Sequence, residues 1–233
     1  MPCTSPLQQI RWHPMTGIAE INGVIAARIL EAAARAVQER GRFLIVLAGG
    51  NTPRGAYEQL RTAQADWSRW QVYFGDERCV PSDDDARNSR MAASAWLDHV
   101  PIPRDQRHEM AAELGAADAA RLYNLTLAGA GDFDLVLLGL GDDGHTGSLF
   151  PGHPLGAQPS SPDVLAVFDA PKPPPQRVTL SAARFSRARQ TFFLVAGEDK
   201  RDAVVRWAAG ETIPAAWIRP PAGVDVFVDA TAQ

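Results

Sequence analysis

The chain has 233 residues, 45% of them hydrophobic, and a formal net charge of −4, which argues against broad nucleic-acid binding because that function needs a strongly basic surface. The length suits one large domain or two small ones, and since no segregated linker divides the sequence we expect a single domain over residues 1–233. No apolar run nears the ~20 residues that span a bilayer, no signal peptide is recognisable, and only Cys3 and Cys79 are present, so we expect a cytoplasmic protein with free thiols and no membrane partner.

The first half of the chain alternates helices and strands. Apolar residues recur at helical spacing over 17–40, which predicts a long amphipathic helix that ends at Gly41. A buried strand is predicted at 43–48, followed by a helix with Thr52 as its cap and Pro53 in its first turn. The other elements predicted in this half are a strand at 71–75, an acidic loop at 76–85, and helices near 88–99 and at 115–128.

The second half continues the alternation. Residues 133–140 are too apolar for the face of an amphipathic helix and too few for a buried helix, so they predict a central strand covered on both faces. The short proline-rich segment 171–175 is typical of a stiff surface connector. The other predicted elements are strands at 164–168, 177–180, 190–196 and 224–228 and a helix at 198–209. Strands separated by helices indicate a doubly wound, Rossmann-like α/β fold with a mainly parallel sheet flanked by helices.

The loop after the central strand carries the residues that we expect to do chemistry. In an open parallel sheet such loops line the ligand crevice, so the polar groups of 141–148 would project into a cleft. His145 can act as a general base near pH 7, and Asp143 could hold the imidazole tautomer and favour its protonated form. Backbone N–H groups of the turn at 144–148 could stabilise an oxyanion.

A second predicted site is the Gly49-Gly50-Asn51-Thr52 loop. A glycine pair at a strand end lets backbone N–H groups approach a ligand, and the following helix N-terminus carries partial positive charge, so this loop can hold a phosphate. It is neither the lysine-containing loop of nucleoside triphosphate enzymes nor the dinucleotide fingerprint, so a smaller ligand is expected. Arg177 and Lys200 could add positive charge, although long basic side chains are mostly exposed surface charges.

Four segments, in order along nearly the whole chain, resemble the 6-phosphogluconolactonases. They are LAGGNTP at 47–53, FGDERCVP at 74–81 with NSRM at 88–91, LGLGDDGHTGSLFPG at 138–152, and RVTLS at 177–181 with GEDKRDAV at 197–204. Ala48 and Asn51 replace the usual serines and Gly147 a common alanine, which removes no side chain that the chemistry needs. The resemblance implies hydrolysis of 6-phospho-D-glucono-1,5-lactone in the oxidative pentose phosphate pathway, no cofactor, and a fold related to the glucosamine-6-phosphate deaminases.

The resemblance also implies roles for individual residues. His145 matches the catalytic histidine and Asp143 its neighbouring carboxylate, while Arg78 lies in the active-site acidic loop and is a second candidate for stabilising the oxyanion. The residues that fall where the superfamily holds the sugar phosphate are Gly50, Asn51, Thr52, Arg177 and Lys200. Gly49 and Asp76 complete the predicted substrate-binding set. The expected partner is the small sugar-phosphate lactone, for a monomer or a small homo-oligomer that binds no nucleic acid.

Three other functions stay open at this point. An aminosugar-phosphate deaminase-isomerase would carry an Asp-Glu-Tyr type sequence where this chain has Asp76-Glu77-Arg78. A non-enzymatic sugar-phosphate-binding module usually comes with a DNA-binding segment, and no basic helix-turn-helix pattern precedes this domain. A metal-dependent hydrolase would need ligand residues whose spacing here matches no familiar motif. Those residues are Asp142, Asp143, His145 and His153.

Overall fold

A computed structural model describes residues 8–233, so Cys3 lies outside the described part of the chain. Ten strands are found there: β1 (Ile10–Met15), β2 (Phe43–Leu47), β3 (Trp70–Phe74), β4 (Asp76–Arg78), β5 (Arg107–His108), β6 (Phe133–Gly139), β7 (Val164–Val167), β8 (Arg177–Leu180), β9 (Ala188–Val195) and β10 (Val224–Asp229). Seven of them form the central sheet in the order β1-β10-β9-β6-β2-β3-β5, with every neighbouring pair parallel. The predicted doubly wound parallel sheet is thereby confirmed.

The sheet order places a ligand crevice between β2 and β6. After β2 the chain proceeds outward to β3 and β5, and then it returns to β6 on the other side of β2. Loops at such a reversal of direction leave the sheet on opposite sides and open a crevice at the carboxyl ends of the two strands. The loops that follow β2 and β6 are the glycine loop and the histidine loop singled out by the sequence.

A second, small sheet corrects the prediction for residues 164–168 and 177–180. These strands are not part of the parallel sheet: β7 pairs antiparallel with β8, and β8 pairs antiparallel with β4. The physical reason is the short proline-rich connection between β7 and β8, because a parallel pair needs a crossover of a dozen or more residues. The predicted acidic loop therefore begins as a strand, and the register sets Arg78 opposite Arg177.

Helices cover both faces of the central sheet, and most of them follow the predicted bounds. They are α1 (Ile18–Arg40), α2 (Asn51–Gln59), α3 (Asn88–Ala95), α4 (Ala116–Leu127), α5 (Ala182–Phe185) and α6 (Arg201–Ala208). Gly41 ends α1 as predicted, with φ 73° and its N–H donated to the Val37 carbonyl. The helix predicted near 88–99 divides into α3 and a 3₁₀ turn, and a 3₁₀ turn also precedes α6.

The prediction that Thr52 caps α2 is wrong. The cap position is occupied by Gly50 at φ 102°, and Thr52 lies inside the first turn. Glycine alone reaches this backbone conformation without strain, so the chain turns from β2 into the helix earlier than a threonine cap would allow. The N–H groups at the start of α2 therefore receive no side-chain cap and face the crevice side of the sheet.

One continuous core joins the two sheets. It contains β2, which is buried along its whole length, together with Val178 and Leu180 of the small sheet. Trp67, Trp70 and Trp96 pack edge to face or tilted against one another at the β3 side of the sheet. Among the residues described, no helix is both long and apolar enough to pass through a bilayer.

Candidate active site

The crevice at the carboxyl ends of β2 and β6 is a cleft of about 200 Å³. Of the residues predicted from the sequence, it is lined by Gly49, Gly50, Asp76, Arg78, His145, Arg177 and Lys200. An adjoining cavity of about 330 Å³ shares both glycines and Lys200 and adds Asn51 and Thr52 to its wall. Asp143 lies behind His145, against the side of the ring that carries Nδ1. The fold therefore brings all ten predicted site residues to one edge of the sheet.

The histidine loop is a tight turn that its own hydrogen bonds hold closed. The Gly141 N–H donates to the His145 carbonyl at 2.8 Å, and the Thr146 hydroxyl donates to the Gly139 carbonyl at 2.8 Å. Gly144 adopts φ 89°, a conformation that favours glycine and lets the chain reverse within the turn. This geometry returns His145 to the end of β6 and aims its ring at the cleft.

Asp143 fixes the orientation of the imidazole. One carboxylate oxygen, Oδ1, lies 2.5 Å from His145 Nδ1 and also accepts the His145 backbone N–H at 2.9 Å. Within the described residues Nε2 makes no hydrogen bond. A carboxylate on Nδ1 selects the tautomer that leaves Nε2 unprotonated, so the free nitrogen is the one able to accept a proton.

The imidazole ring also has a close steric setting. A Cβ atom added to Gly141 would lie 1.9 Å from His145 Nδ1, so the ring occupies the space of the missing side chain. On another side the Phe150 ring lies with its centroid 4.7 Å from that of the imidazole. Glycine at 141 and phenylalanine at 150 thereby fix the ring between backbone and an aromatic face.

The surroundings of His145 and Asp143 shift the pKa values of both side chains. Burial lowers the pKa of His145 below its ordinary value, and this outweighs the hydrogen bond to Asp143, which raises it. Burial would raise the pKa of Asp143, but the two hydrogen bonds from His145 and the nearby positive charge outweigh it and bring the pKa below its ordinary value. Near neutral pH the pair is therefore a carboxylate beside a neutral imidazole.

Asp76 is the centre of a buried hydrogen-bond network. Its Oδ2 accepts the Ser148 hydroxyl at 2.6 Å, and its Oδ1 accepts Asn88 Nδ2 at 3.0 Å. The Asn88 amide fills the space over Gly49, where an added Cβ would lie 1.9 Å from Oδ1 of that amide. Asp76 thus joins the histidine loop, the glycine loop and α3, and both of its oxygens are already bound within the protein.

Asn88 is a residue of this network that the predicted set lacked. It belongs to the NSRM segment quoted for the family resemblance, but no local pattern signals that its amide reaches Asp76, twelve residues earlier. Its backbone N–H donates to Glu77 at 2.7 Å, the Ser89 N–H donates to the other Glu77 oxygen at 2.8 Å, and Arg87 lies 3.2 Å from that oxygen. A buried carboxylate thereby caps α3 and sets the position of Asn88.

Arg177 is mostly engaged within the protein. Its Nε donates to the Pro174 carbonyl at 3.1 Å, and its Nη2 donates to the Lys172 and Pro173 carbonyls, each at 3.0 Å. The guanidinium also lies over the Phe150 ring, 5.4 Å from its centroid. Burial lowers the pKa of Arg177, yet arginine stays charged at neutral pH. Only Nη1 has no partner among the described residues, so one guanidinium nitrogen of Arg177 remains able to donate to a ligand in the cleft.

Arg78 is less fully bound. Its Nη1 donates to the Ala86 carbonyl at 2.6 Å, while its buried Nε has no partner within residues 8–233. Of the N–H groups predicted to stabilise an oxyanion at 144–148, four are already donated to protein oxygens. The exception in the described chain is that of Gly147, which lines the same cleft. Together with Arg177 Nη1, the Arg78 Nη2 and the Gly147 N–H are therefore donors at the cleft that have no partner in the described chain.

The groups proposed for a metal site are only partly brought together. Asp142, Asp143 and His145 place ligand atoms within 4.8 Å of one another, but His153 is not among them. Lys172, in the proline-rich segment, forms an ion pair with Asp142, and the Asp143 carboxylate is bound to the imidazole. The Asp142 carboxylate, which a metal cation would need as a ligand, is thus already neutralised by the Lys172 ammonium.

Comparison with known proteins agrees with this geometry. A family model described as glucosamine-6-phosphate isomerases/6-phosphogluconolactonase matches residues 19–227. A 6-phosphogluconolactonase of Mycobacterium tuberculosis is 42% identical over 206 residues, 81% of this chain and 83% of that protein. The crystal structure of a 6-phosphogluconolactonase from Thermotoga maritima superposes with a TM-score of 0.87 at 26% identity, covering 95% of this chain and all of that one. A monomeric glucosamine-6-phosphate deaminase, 22% identical with a TM-score of 0.80, covers 95% of this chain and 98% of its own and shares the fold.

Proposed function

The chain belongs to the family of glucosamine-6-phosphate isomerases and 6-phosphogluconolactonases, and from this membership we propose that it hydrolyses 6-phospho-D-glucono-1,5-lactone to 6-phospho-D-gluconate in the pentose phosphate pathway. It is a carboxylic ester hydrolase that acts on a cyclic ester. The observation that carries the proposal is the neutral imidazole of His145, oriented by Asp143 and facing a cleft lined by arginine, lysine and glycine.

His145 is the proposed general base and then the general acid. Its Nε2 removes a proton from a water molecule while the water oxygen attacks C1 of the lactone, giving a tetrahedral oxyanion and an imidazolium. Asp143 stabilises the imidazolium through Nδ1–H. When the bond from C1 to the ring oxygen breaks, the imidazolium returns the proton to that oxygen, which becomes the C5 hydroxyl group. The products are an acid, which ionises, and the neutral imidazole.

Two donors are suited to the developing oxyanion. Arg78 lines the cleft with its Nη2 unpaired among the described residues, and the Gly147 N–H is the group of the turn at 144–148 that no described oxygen accepts. Donors that are already in place when charge develops cost no reorganisation, and such preorganisation is among the largest effects in catalysis. We propose that these two groups, not the whole turn, stabilise the negative charge.

The 6-phosphate is proposed to bind in the adjoining cavity. The uncapped N-terminus of α2 supplies backbone N–H groups and partial positive charge through Gly50, Asn51 and Thr52. Lys200 also lines this cavity, where its ammonium pairs with Asp199 at 2.8 Å and would exchange this partner for the phosphate. Arg177 contributes its remaining Nη1 from the side of the lactone cleft.

The proposed function is tested by following acid release from the lactone. The lactone is generated in place from glucose 6-phosphate, and the rate is compared with its spontaneous hydrolysis and with ammonia release from glucosamine 6-phosphate. His145→Ala should fold, because the half-buried ring lies at the cleft and outside the main hydrophobic core. It should lose about 10²- to 10⁴-fold in turnover, the usual contribution of a general acid–base group. His99→Ala, at an exposed histidine remote from the cleft, is the matched control. Activity of His145→Ala within about threefold of wild type would remove His145 from the mechanism.

The same assay separates the alternatives. Ammonia release from glucosamine 6-phosphate in place of acid release would assign the deaminase function. Dialysis against a chelator should leave the lactonase rate unchanged, because an imidazole and hydrogen-bond donors suffice for opening an activated ring ester. Loss of the rate and its return with zinc or manganese would instead assign a metal-dependent hydrolysis to the groups around His145.

A further inference from the structure

The two lysines of this chain both stand at the active site. The sequence contains 21 arginines but only Lys172 and Lys200. Lys200 lines the cleft, and Lys172 pairs with Asp142 in the histidine loop. Nearly all positive side chains of this protein are therefore arginines, and these two positions carry a compact ammonium instead. A guanidinium and an ammonium are not interchangeable in geometry or hydration. Lys200 has a place in phosphate binding, whereas the mechanism leaves Lys172 without one.

A short series of contacts joins Lys172 to the catalytic base. The Asp142 oxygen that pairs with the Lys172 ammonium also accepts the Asp143 backbone N–H, at 3.1 Å. The Asp143 carboxylate in turn holds both the ring and the backbone N–H of His145. The ammonium is therefore connected to the imidazole through Asp142 and Asp143.

The backbone of Lys172 is itself fixed from the interior. Arg177, which is only 5% exposed, donates to the carbonyls of Lys172, Pro173 and Pro174. The Ala170 N–H closes the proline-rich segment by donating to the Pro175 carbonyl at 2.9 Å. The segment predicted to be a stiff surface connector is thus held by hydrogen bonds to its carbonyls, and it places the Lys172 ammonium beside Asp142 of the histidine loop.

We propose that Lys172 is a positioning residue for the reaction: by holding Asp142 it fixes the turn that presents Asp143 and His145 to the substrate. The kinetic part of this inference rests on the proposed lactone hydrolysis. Lys172 does not belong to the cleft wall, so it acts on the reaction through Asp142 and not through contact with the lactone.

The charge of Lys172 also bears on the base. The charged groups that act on His145 are Asp143 from its own loop, Asp76 from β4, and Lys172 from the proline-rich segment. The two carboxylates raise the pKa of His145, and the ammonium lowers it. The guanidinium of Arg177, from β8, contacts the same Phe150 ring as the imidazole. Removal of Lys172 therefore predicts a higher pKa for His145.

The first experiment compares Lys172→Met with wild type, with Lys172→Arg, and with Arg121→Met. Arg121 forms an exposed ion pair with Asp118 within α4, so its variant controls for the loss of a surface ion pair. For Lys172→Met we expect kcat to fall about 10- to 100-fold with little change in KM, because a displaced catalytic group reduces turnover and not binding. The pKa of His145, followed by NMR of the imidazole nitrogens and assigned with His145→Ala, should rise, because the ammonium that lowers it has been removed.

The control variants make the comparison specific. Lys172→Arg should keep the pKa of His145 near that of wild type and restore only part of kcat, because the fork cannot reproduce the single contact of the ammonium. Arg121→Met should change neither quantity. A rise in KM with an unchanged kcat and an unchanged pKa in Lys172→Met would overturn the proposal, because that result describes a residue that touches the substrate.

A double-mutant cycle tests the route through Asp142. If Lys172 acts through Asp142, then Asp142→Asn and the double variant Asp142→Asn/Lys172→Met should both lose about as much kcat as Lys172→Met. Losses that multiply would show that Lys172 acts by another route and would overturn the proposal. Should the wild-type protein not hydrolyse the lactone, the proposed function fails, while the imidazole titration still decides whether Lys172 acts on His145.

Discussion

His145 carries two opposing influences, and they determine how activity should depend on pH. The general base must be neutral, and burial lowers the pKa of His145 below the value of about 6.5 for free histidine. The acid limb of kcat/KM in the wild-type enzyme should therefore have its midpoint below pH 6.5, because protonation of the base is delayed until that pH.

Asp143→Asn should move this limb further toward acid pH. The carboxylate raises the pKa of His145, so its removal lowers that pKa and extends the pH range in which the imidazole is neutral. The plateau should nevertheless fall about 10²- to 10⁴-fold, because the imidazolium loses its stabilising partner and the tautomer is no longer fixed. Profiles of kcat/KM against pH for both proteins provide the measurement, and a limb displaced toward higher pH would contradict this account.

The residues assigned to the phosphate can be separated by comparing two substrates. Lys200→Ala should raise KM for the phosphorylated lactone about 10- to 150-fold, the range of a lost charge-assisted contact, and should leave hydrolysis of unphosphorylated gluconolactone unchanged. Arg177→Ala should slow both lactones, because Arg177 also holds the segment that carries Lys172. Steady-state kinetics on both substrates provide the measurement. If Lys200→Ala reduces kcat/KM equally for both lactones, Lys200 does not bind the phosphate and the proposed phosphate site is wrong.

At the scale of single residues, sequence reasoning found the groups that follow a strand and missed those that meet across the fold. His145 and Asp143 were predictable because they lie in a polar turn directly after a buried strand. The hydrogen bond between Asn88 and Asp76 and the ion pair between Lys172 and Asp142 join residues 12 and 30 positions apart. No local period encodes such distances, because they are set by strand order.

At the scale of an element, α3 depends on a carboxylate outside it. Glu77 accepts the backbone N–H groups of Asn88 and Ser89 and pairs with the buried Arg87. In Glu77→Gln an amide N–H₂ would face those donors, and the arginine would lose its buried partner. We expect a loss of about 3–5 kcal/mol in the free energy of unfolding, measured with urea.

Glu58→Gln is the matched control for this substitution. Glu58 pairs with Arg54 four residues earlier on the exposed face of α2, where a pair contributes only about 0.3–0.5 kcal/mol. Similar unfolding curves for the two variants would mean that Glu77 is not needed to hold α3. If the stability of Glu77→Gln is reduced as expected, its remaining folded enzyme should also be impaired, since α3 places Asn88 beside Asp76.

Three strands show what the local sequence pattern leaves undetermined. The sequence pattern does not predict β1, because it is a half-exposed edge strand that contains a proline. Within residues 8–233 it pairs with β10 alone, more than 200 residues later in the sequence. β7 and β8 were recognised as strands but placed in the wrong sheet, because an apolar run specifies burial and not the direction of its neighbour. The sequence does predict α1 and β2, because one has a long helical repeat of apolar residues and the other is a wholly apolar strand.

At the scale of the whole molecule, the single domain predicted over residues 1–233 can be tested by unfolding. The core that lines β2 also includes Val178 and Leu180 of the small antiparallel sheet. Elements that share one core unfold together in most single domains. We therefore expect urea unfolding followed by tryptophan fluorescence, which reports on Trp12 and Trp207 at the β1 side of the sheet as well as on the tryptophans at the β3 side, to coincide with unfolding followed by far-ultraviolet circular dichroism. Two separated transitions would instead divide the chain into two folding units.

The imidazole that fills the missing side chain of Gly141 also has a consequence for how this sequence can vary. Gly141 is not among the glycines with positive φ, so its backbone would accept alanine, and the ring of His145 is what excludes it. Substitutions of Gly141 should therefore permit folding but displace the His145 ring and reduce turnover. In a library of variants scored separately for cellular abundance and for turnover, substitutions at position 141 should preserve abundance and abolish turnover. Substitutions at Gly144, a glycine that the turn itself requires, should lower both.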